Sequence, residues 1–173
     1  MKKEFLILTF FMLAVVNLNA QKLKSGNISV LKNETTVAIT MDYSKMVFAG
    51  FVESDYTATL NAAQKTQWEQ AKKEFFTTFV SYLNTTLIAK KSDLICVANS
   101  VDTKYKFTVV PLVFDANYNM RAEIILSEQG SNTAIAVISI SGYAYRFGTQ
   151  IHKAKGAFKT AGIGFAEFLA KKI

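Results

Sequence analysis

Cysteine, proline, histidine and tryptophan each occur once in these 173 residues, as Cys96, Pro111, His152 and Trp68. A lone cysteine excludes an intramolecular disulfide, so the core must hold without staples. Cys96 lies in Leu94-Ile95-Cys96-Val97-Ala98, a run that reads as a buried strand. A thiol there behaves as a small apolar residue rather than a reactive group. One histidine and one strand-borne cysteine cannot assemble a His/Cys zinc site. A serine or cysteine nucleophile would have only His152 as its base, and no Gly-x-Ser-x-Gly elbow occurs. No D-x-[DN]-x-[DN]-G calcium loop is present. Gly156, Gly162 and Gly164 spell neither a phosphate loop nor a dinucleotide fingerprint. The sequence thus nominates no catalytic, cofactor-binding or metal-ligating residue, and His152 reads as a solvated or capping side chain.

Long apolar runs are equally scarce. The one that stands out, residues 5–16, is broken only by Thr9, follows Met1-Lys2-Lys3 and precedes Asn17-Leu18-Asn19-Ala20. A basic start, a short apolar centre and a small residue before the cut make a secretory signal peptide, too short for a stable membrane anchor. The division expected is a signal peptide over residues 1–20 and a single α+β domain over 21–173. Export to the periplasm or the extracellular space follows, without a lipid anchor, because no cysteine stands at the junction.

With half of its residues hydrophobic and 19% charged, the chain is not disordered. A body of this size buries roughly 70% of the surface its unfolded chain exposes. Removing Lys2, Lys3 and Glu4 from 20 basic and 13 acidic residues leaves 18 against 12. That surplus gathers towards the end, where Arg146, Lys153, Lys155, Lys159, Lys171 and Lys172 face Glu167 alone. Lys155 and Lys159, one helical turn apart, predict a cationic face that could meet an anionic surface. Nucleic acid is not an expected partner, since no nucleic-acid-binding motif accompanies the charge.

Residues 35–43 alternate with period two and predict a half-buried strand. A second short apolar piece, 46–52, is broken by Gly50, and Ser54 is placed to cap a short helix over 55–63. Trp68, Ala71, Phe75, Phe79, Leu83 and Leu87 then recur at steps of three and four, widened by Phe76 and Val80. Their spacing predicts an amphipathic helix of about twenty residues. Four strands follow at 93–98, 105–115, 120–127 and 133–142. Asp115-Ala116-Asn117-Tyr118-Asn119 and Glu128-Gln129-Gly130-Ser131-Asn132 join the last three as a meander. Pro111 cannot donate to a ladder, so an edge position or a bulge is expected there. A second helix spans 150–172 with Ile151, Ala154, Phe158, Ala161, Phe165 and Leu169 inward, its glycines allowing close approach to the sheet. The fold expected is a two-layer α+β sandwich, a mixed, mostly antiparallel sheet with two main helices packed on one face.

Two sets of side chains could carry more than packing. Trp68, Phe75, Phe76 and Phe79 could line a ligand or lipid cavity between helix and sheet. Two carboxylate pairs, Glu53 with Asp55 and Asp115 with Glu123, are the residues a small glycoside hydrolase would need. Three Asn-x-Ser/Thr triplets, at Asn27, Asn33 and Asn84, matter only in a eukaryotic secretory pathway.

Gly26-Asn27-Ile28-Ser29-Val30-Leu31-Lys32, the stretch 37–44 ending in Asp42-Tyr43-Ser44, and the closing helix resemble an exported, uncharacterised family from Bacteroidetes. The order of elements is similar to that of the amino-terminal domain of TolB and of LpoB-type envelope proteins. The resemblance implies a mixed sheet with helices against it and action through a protein partner in the envelope. It implies no catalytic residue. The function expected is therefore an exported, non-enzymatic protein-interaction module, with small-ligand or lipid binding as the alternative.

Overall fold

The computed structural model describes residues 21–173, and the predicted signal peptide lies outside them. Strand β1 (Lys22–Gly26) is followed by β2 (Thr36–Met41), the short pair β3 (Val47–Phe48) and β4 (Phe51–Val52), and helix α1 (Glu53–Thr59). Helix α2 (Ala62–Ala89), strands β5 (Ile95–Ala98), β6 (Tyr105–Phe114), β7 (Met120–Glu128) and β8 (Ala134–Gly142), and helix α3 (Gln150–Lys172) complete the chain. The strands form one sheet in the order β1-β8-β7-β6-β2-β5, with β3 joining β6 and β4 joining β3. The pairs β1–β8, β8–β7 and β7–β6 are antiparallel. β2 is parallel to both β5 and β6, so the sheet is mixed. The expected α+β sandwich is what forms.

The layers follow from the pattern. Phe107, Val109, Ile124, Leu126, Ile138 and Ile140 are fully buried, and they alternate with half-exposed Lys106, Thr108, Glu123, Ile125 and Ser139 on the other face. Register aligns the inward set across strands, Phe107 with Leu126 and Val109 with Ile124, then Ile124 with Ile138 and Leu126 with Ala136. On this face lie the predicted stripes, Trp68, Phe75, Phe79, Leu83 and Leu87 from α2 and Ala154, Phe158, Ala161, Phe165 and Leu169 from α3, all buried.

Phe48 is a hub that the sequence pattern does not mark, its ring 4.8 Å from Trp68, 5.2 Å from Tyr56 and 5.4 Å from Phe114. The turn beside it consists of Ala49 and Gly50, both at positive φ (51° and 85°), the geometry of a two-residue type I′ hairpin. Only glycine adopts that region without cost, which is why the apolar piece breaks at Gly50.

Two local expectations need correction, the Ser54 cap and the edge alternative for Pro111. Ser54 does not cap α1, which starts at Glu53 after Val52 and has no side-chain cap. The cap that does form is Asn61 on α2, accepting from the Gln64 N–H while the Gln64 side chain accepts from the Asn61 N–H. Pro111 is not at an edge, because β6 lies inside the sheet between β7 and β2. The bulge is there, between Pro111 and Val113. The Val109 carbonyl accepts from Asp42 on the β2 side, so strand alternation turns the Pro111 nitrogen to that side too. There β2 has ended at Met41 and β3 has not begun, so the missing donor falls in a gap of the ladder.

Two glycines, one in a helix and one in a strand, set the close approaches of α3. A Cβ at Gly162 would press on the Phe79 carbonyl of α2, so this glycine sets the approach of helix to helix. The approach to the sheet is set from the strand, where a Cβ at Gly142 would land on the Ala157 carbonyl.

Candidate functional site

β1 begins opposite Ser139, whereas β8 runs on to Gly142. On the β1 side the last rungs of β8 therefore have no neighbour, while β7 continues on the other. Side chains fill the place: Gln21 Nε2 donates to the Ser141 carbonyl at 3.3 Å. Thr160 Oγ1 accepts from the Tyr143 N–H at 2.5 Å and donates to the Tyr143 carbonyl at 3.0 Å. Above this open corner stands the flank of α3 opposite Gly162, carrying Thr160, Ile163, Gly164, Glu167, Phe168 and Lys171 at three- and four-residue steps. Helix flank and sheet corner enclose an open groove of about 580 Å³. Leu23, Tyr143, Ile163 and Phe168 give it an apolar floor, and Lys22, Glu167, Lys171 and Lys172 line its rim. Sequence reasoning missed this site because β1, Lys-Leu-Lys-Ser-Gly, has no apolar alternation to announce it.

The aromatic stripe that could have lined a cavity between helix and sheet is packed as core. Trp68, Phe75 and Phe79 are no more than 1% exposed. Phe75 stacks on Phe158 at 4.8 Å and Phe79 on Phe165 at 6.4 Å. Phe76 packs on the same core while remaining half-exposed.

Neither carboxylate pair forms. Glu53 turns inward, where one oxygen accepts from Lys72 Nζ (2.6 Å), Trp68 Nε1 (3.0 Å) and Thr57 Oγ1 (3.1 Å). Asp55, two residues on, is exposed on another side of the helix. Asp115 is consumed in its turn, accepting from the Asn117 and Asn119 N–H groups and from Asn119 Nδ2. Glu123 sits opposite Val110 and pairs with Lys24, roughly 15 Å along the strand from Asp115 at 3.3 Å per residue.

Around Glu53 the electrostatics are those of a lock. Burial alone would raise its pKa, but the hydrogen bonds from Lys72 and Trp68, with the Lys72 charge, outweigh that and lower it. Lys72 is shifted upward, because Glu53 and Glu69 more than offset its own desolvation. Tyr43 donates to the Lys72 carbonyl at 2.6 Å, and burial raises its pKa strongly. Cys96, 2% exposed, has its thiol pushed up to about 12 by desolvation. His152 is exposed at the start of α3, its N–H donating to the Thr149 cap at 3.2 Å and its ring 4.8 Å from Tyr145.

The cationic face of α3 is largely engaged within the fold. Lys155 pairs with Glu74 of α2 at 3.1 Å. Lys159 sits over the Tyr82 ring at 4.6 Å and within 5.8 Å of Tyr145. The strands at the two ends of the main path, β5 and β1, are also obstructed. The Asn84 carboxamide of α2 accepts from the Cys96 N–H at 2.9 Å and donates to the Cys96 carbonyl at 2.8 Å, taking the place of a neighbouring strand on β5. β1 carries Lys22 and Lys24 and a bulge between Leu23 and Ser25, devices that discourage strand addition.

Among the described residues no helix is long and apolar enough to cross a membrane, and no group of three or more His, Cys, Asp or Glu is placed to hold a metal ion. Neither a family model nor a curated protein matches the chain. The PelC dodecamer from Paraburkholderia phytofirmans is similar in structure at 9% identity and a TM-score of 0.40, over 83% of this chain and 96% of that one. A variant PelC dodecamer from the same organism aligns at 6% identity and a TM-score of 0.39, over 84% and 97%.

Proposed function

We propose that the chain is an exported, non-enzymatic binding module of the periplasm or extracellular space, and that its ligand contacts are made in the groove between α3 and β1. The observation that carries this reading is the groove itself, an apolar floor with a cationic rim and a volume in the range of small-molecule sites. Glu53, Asp55, Asp115, Glu123, His152 and Cys96 all lie outside it, each committed to a structural contact or to solvent. Its position on the exported body supports a ligand met outside the cytoplasm.

A second reading, docking of an envelope protein, has its own observation. Phe51 (50% exposed), Val52, Tyr143 and Phe147 (74% exposed) are uncovered at the end of the sheet where β6 and β8 finish. Native mass spectrometry of the protein released gently from its host is expected to show a species heavier than the bare chain. A bare-chain mass at every salt concentration contradicts both readings.

A further inference from the structure

Resting on the groove reading above, we propose that the groove takes a long-chain carboxylate, its tail on Leu23, Tyr143, Ile163 and Phe168 and its head group among Lys22, Lys171 and Lys172. Charge is the first argument. Three lysines line the groove against Glu167 alone, and among the described residues none of the three has a carboxylate within 4 Å. Lys24, Lys72 and Lys155 all have such partners. An anion entering the groove meets uncommitted cations.

Shape is the second argument. From Thr160 to Lys171 the helix rises about 16 Å at 1.5 Å per residue, which makes the groove a channel suited to one extended chain. Its volume of about 580 Å³ does not accommodate two chains with a bulky head group.

Hydrogen bonding is the third. A peptide strand laid along β8 would need backbone partners, but the free groups of Ser141 and Tyr143 are already taken by Gln21 and Thr160. A hydrocarbon tail asks for none. No arginine lines the groove, so a single anionic head is met by lysine point charges and not by a bidentate fork.

Purified mature protein titrated with 11-(dansylamino)undecanoate is expected to show saturable fluorescence enhancement, reversed by hexadecanoate. Affinity in a series from octanoate to hexadecanoate should rise about two- to fourfold per methylene. Ile163→Glu should weaken binding about tenfold or more, and a Lys171→Glu/Lys172→Glu double variant at least about fivefold with loss of its salt dependence. Ile88→Glu, on an exposed position of α2, should change nothing. Circular dichroism of each variant separates lost binding from lost fold. Absence of saturable binding below the micellar range, or binding that both groove variants leave intact, overturns the proposal. So does displacement by a lysophospholipid or an acidic peptide but not by hexadecanoate. If these titrations fail while the native species keeps its extra mass, the carboxylate class falls alone and the binding module stands.

Discussion

Glu53 gathers more structure around it than its place in a seven-residue helix suggests. Its carboxylate ties α1 to Trp68 and Lys72 of α2, with both charged side chains about one-sixth exposed. Removing it leaves Lys72 and the indole N–H without that acceptor, so Glu53→Ala should cost about 1–3 kcal/mol of unfolding free energy by urea denaturation. The pH dependence has a definite sign. A carboxyl whose folded pKa lies below its unfolded value contributes fully above the ordinary carboxylate range and loses that contribution as the pH falls. Lys72, raised in the fold, contributes fully at neutral pH and loses its share only as the pH climbs through the lysine range. Stability should therefore decline as pH drops from about 7 to 3, and Glu53→Gln should flatten that decline. Asp115 and Glu74, also lowered, add to the slope in the same direction. An undiminished slope in the variant would remove Glu53 from this role. At Cys96, burial and the raised pKa predict a thiol that iodoacetamide reaches only on unfolding. Alkylation at the rate of a free thiol in native buffer would contradict the packing described.

Between residues and molecule, the elements show which signals the sequence carries. α2, α3 and the meander β6–β8 could be read directly, because their apolar residues recur with one period over many positions and the core needs that period. β1 could not, because its place depends on β8 beside it and not on its own pattern. Nor could the committed amide of Asn84, whose triplet reads as a glycosylation signal while its side chain closes β5. That arrangement makes a prediction at the scale of the strand. Asn84→Ala unpairs the Cys96 N–H and carbonyl, which should cost about 1–3 kcal/mol and promote self-association by sedimentation velocity. A variant as stable and as monodisperse as the parent would show the edge is guarded by something else. Gly162 marks the matching limit for helix packing. A Cβ there would lie 2.5 Å from the Phe79 carbonyl oxygen, so Gly162→Val should destabilise by about 1–3 kcal/mol despite valine's greater apolar area. An unchanged melting temperature would mean that α2 and α3 can separate without cost.

At the scale of the whole molecule, two helices cover one face of the sheet but stop short of β1, and the uncovered corner is the groove. The candidate site was hidden from the sequence for that reason. It arises from a strand that starts three residues late against β8 and from a helix flank whose lysines look, in sequence, like ordinary solvated charge. The aromatic stripe that drew attention as a ligand wall closes on itself as core. The apolar run over residues 5–16 reads as a leader from sequence alone, and the binding module proposed here depends on its being one and on its removal. The most direct test is the intact mass of the protein in fractionated host cells. The account predicts a chain beginning at Gln21 in the periplasmic or culture fraction; a chain beginning at Met1 and confined to the cytosol would contradict it.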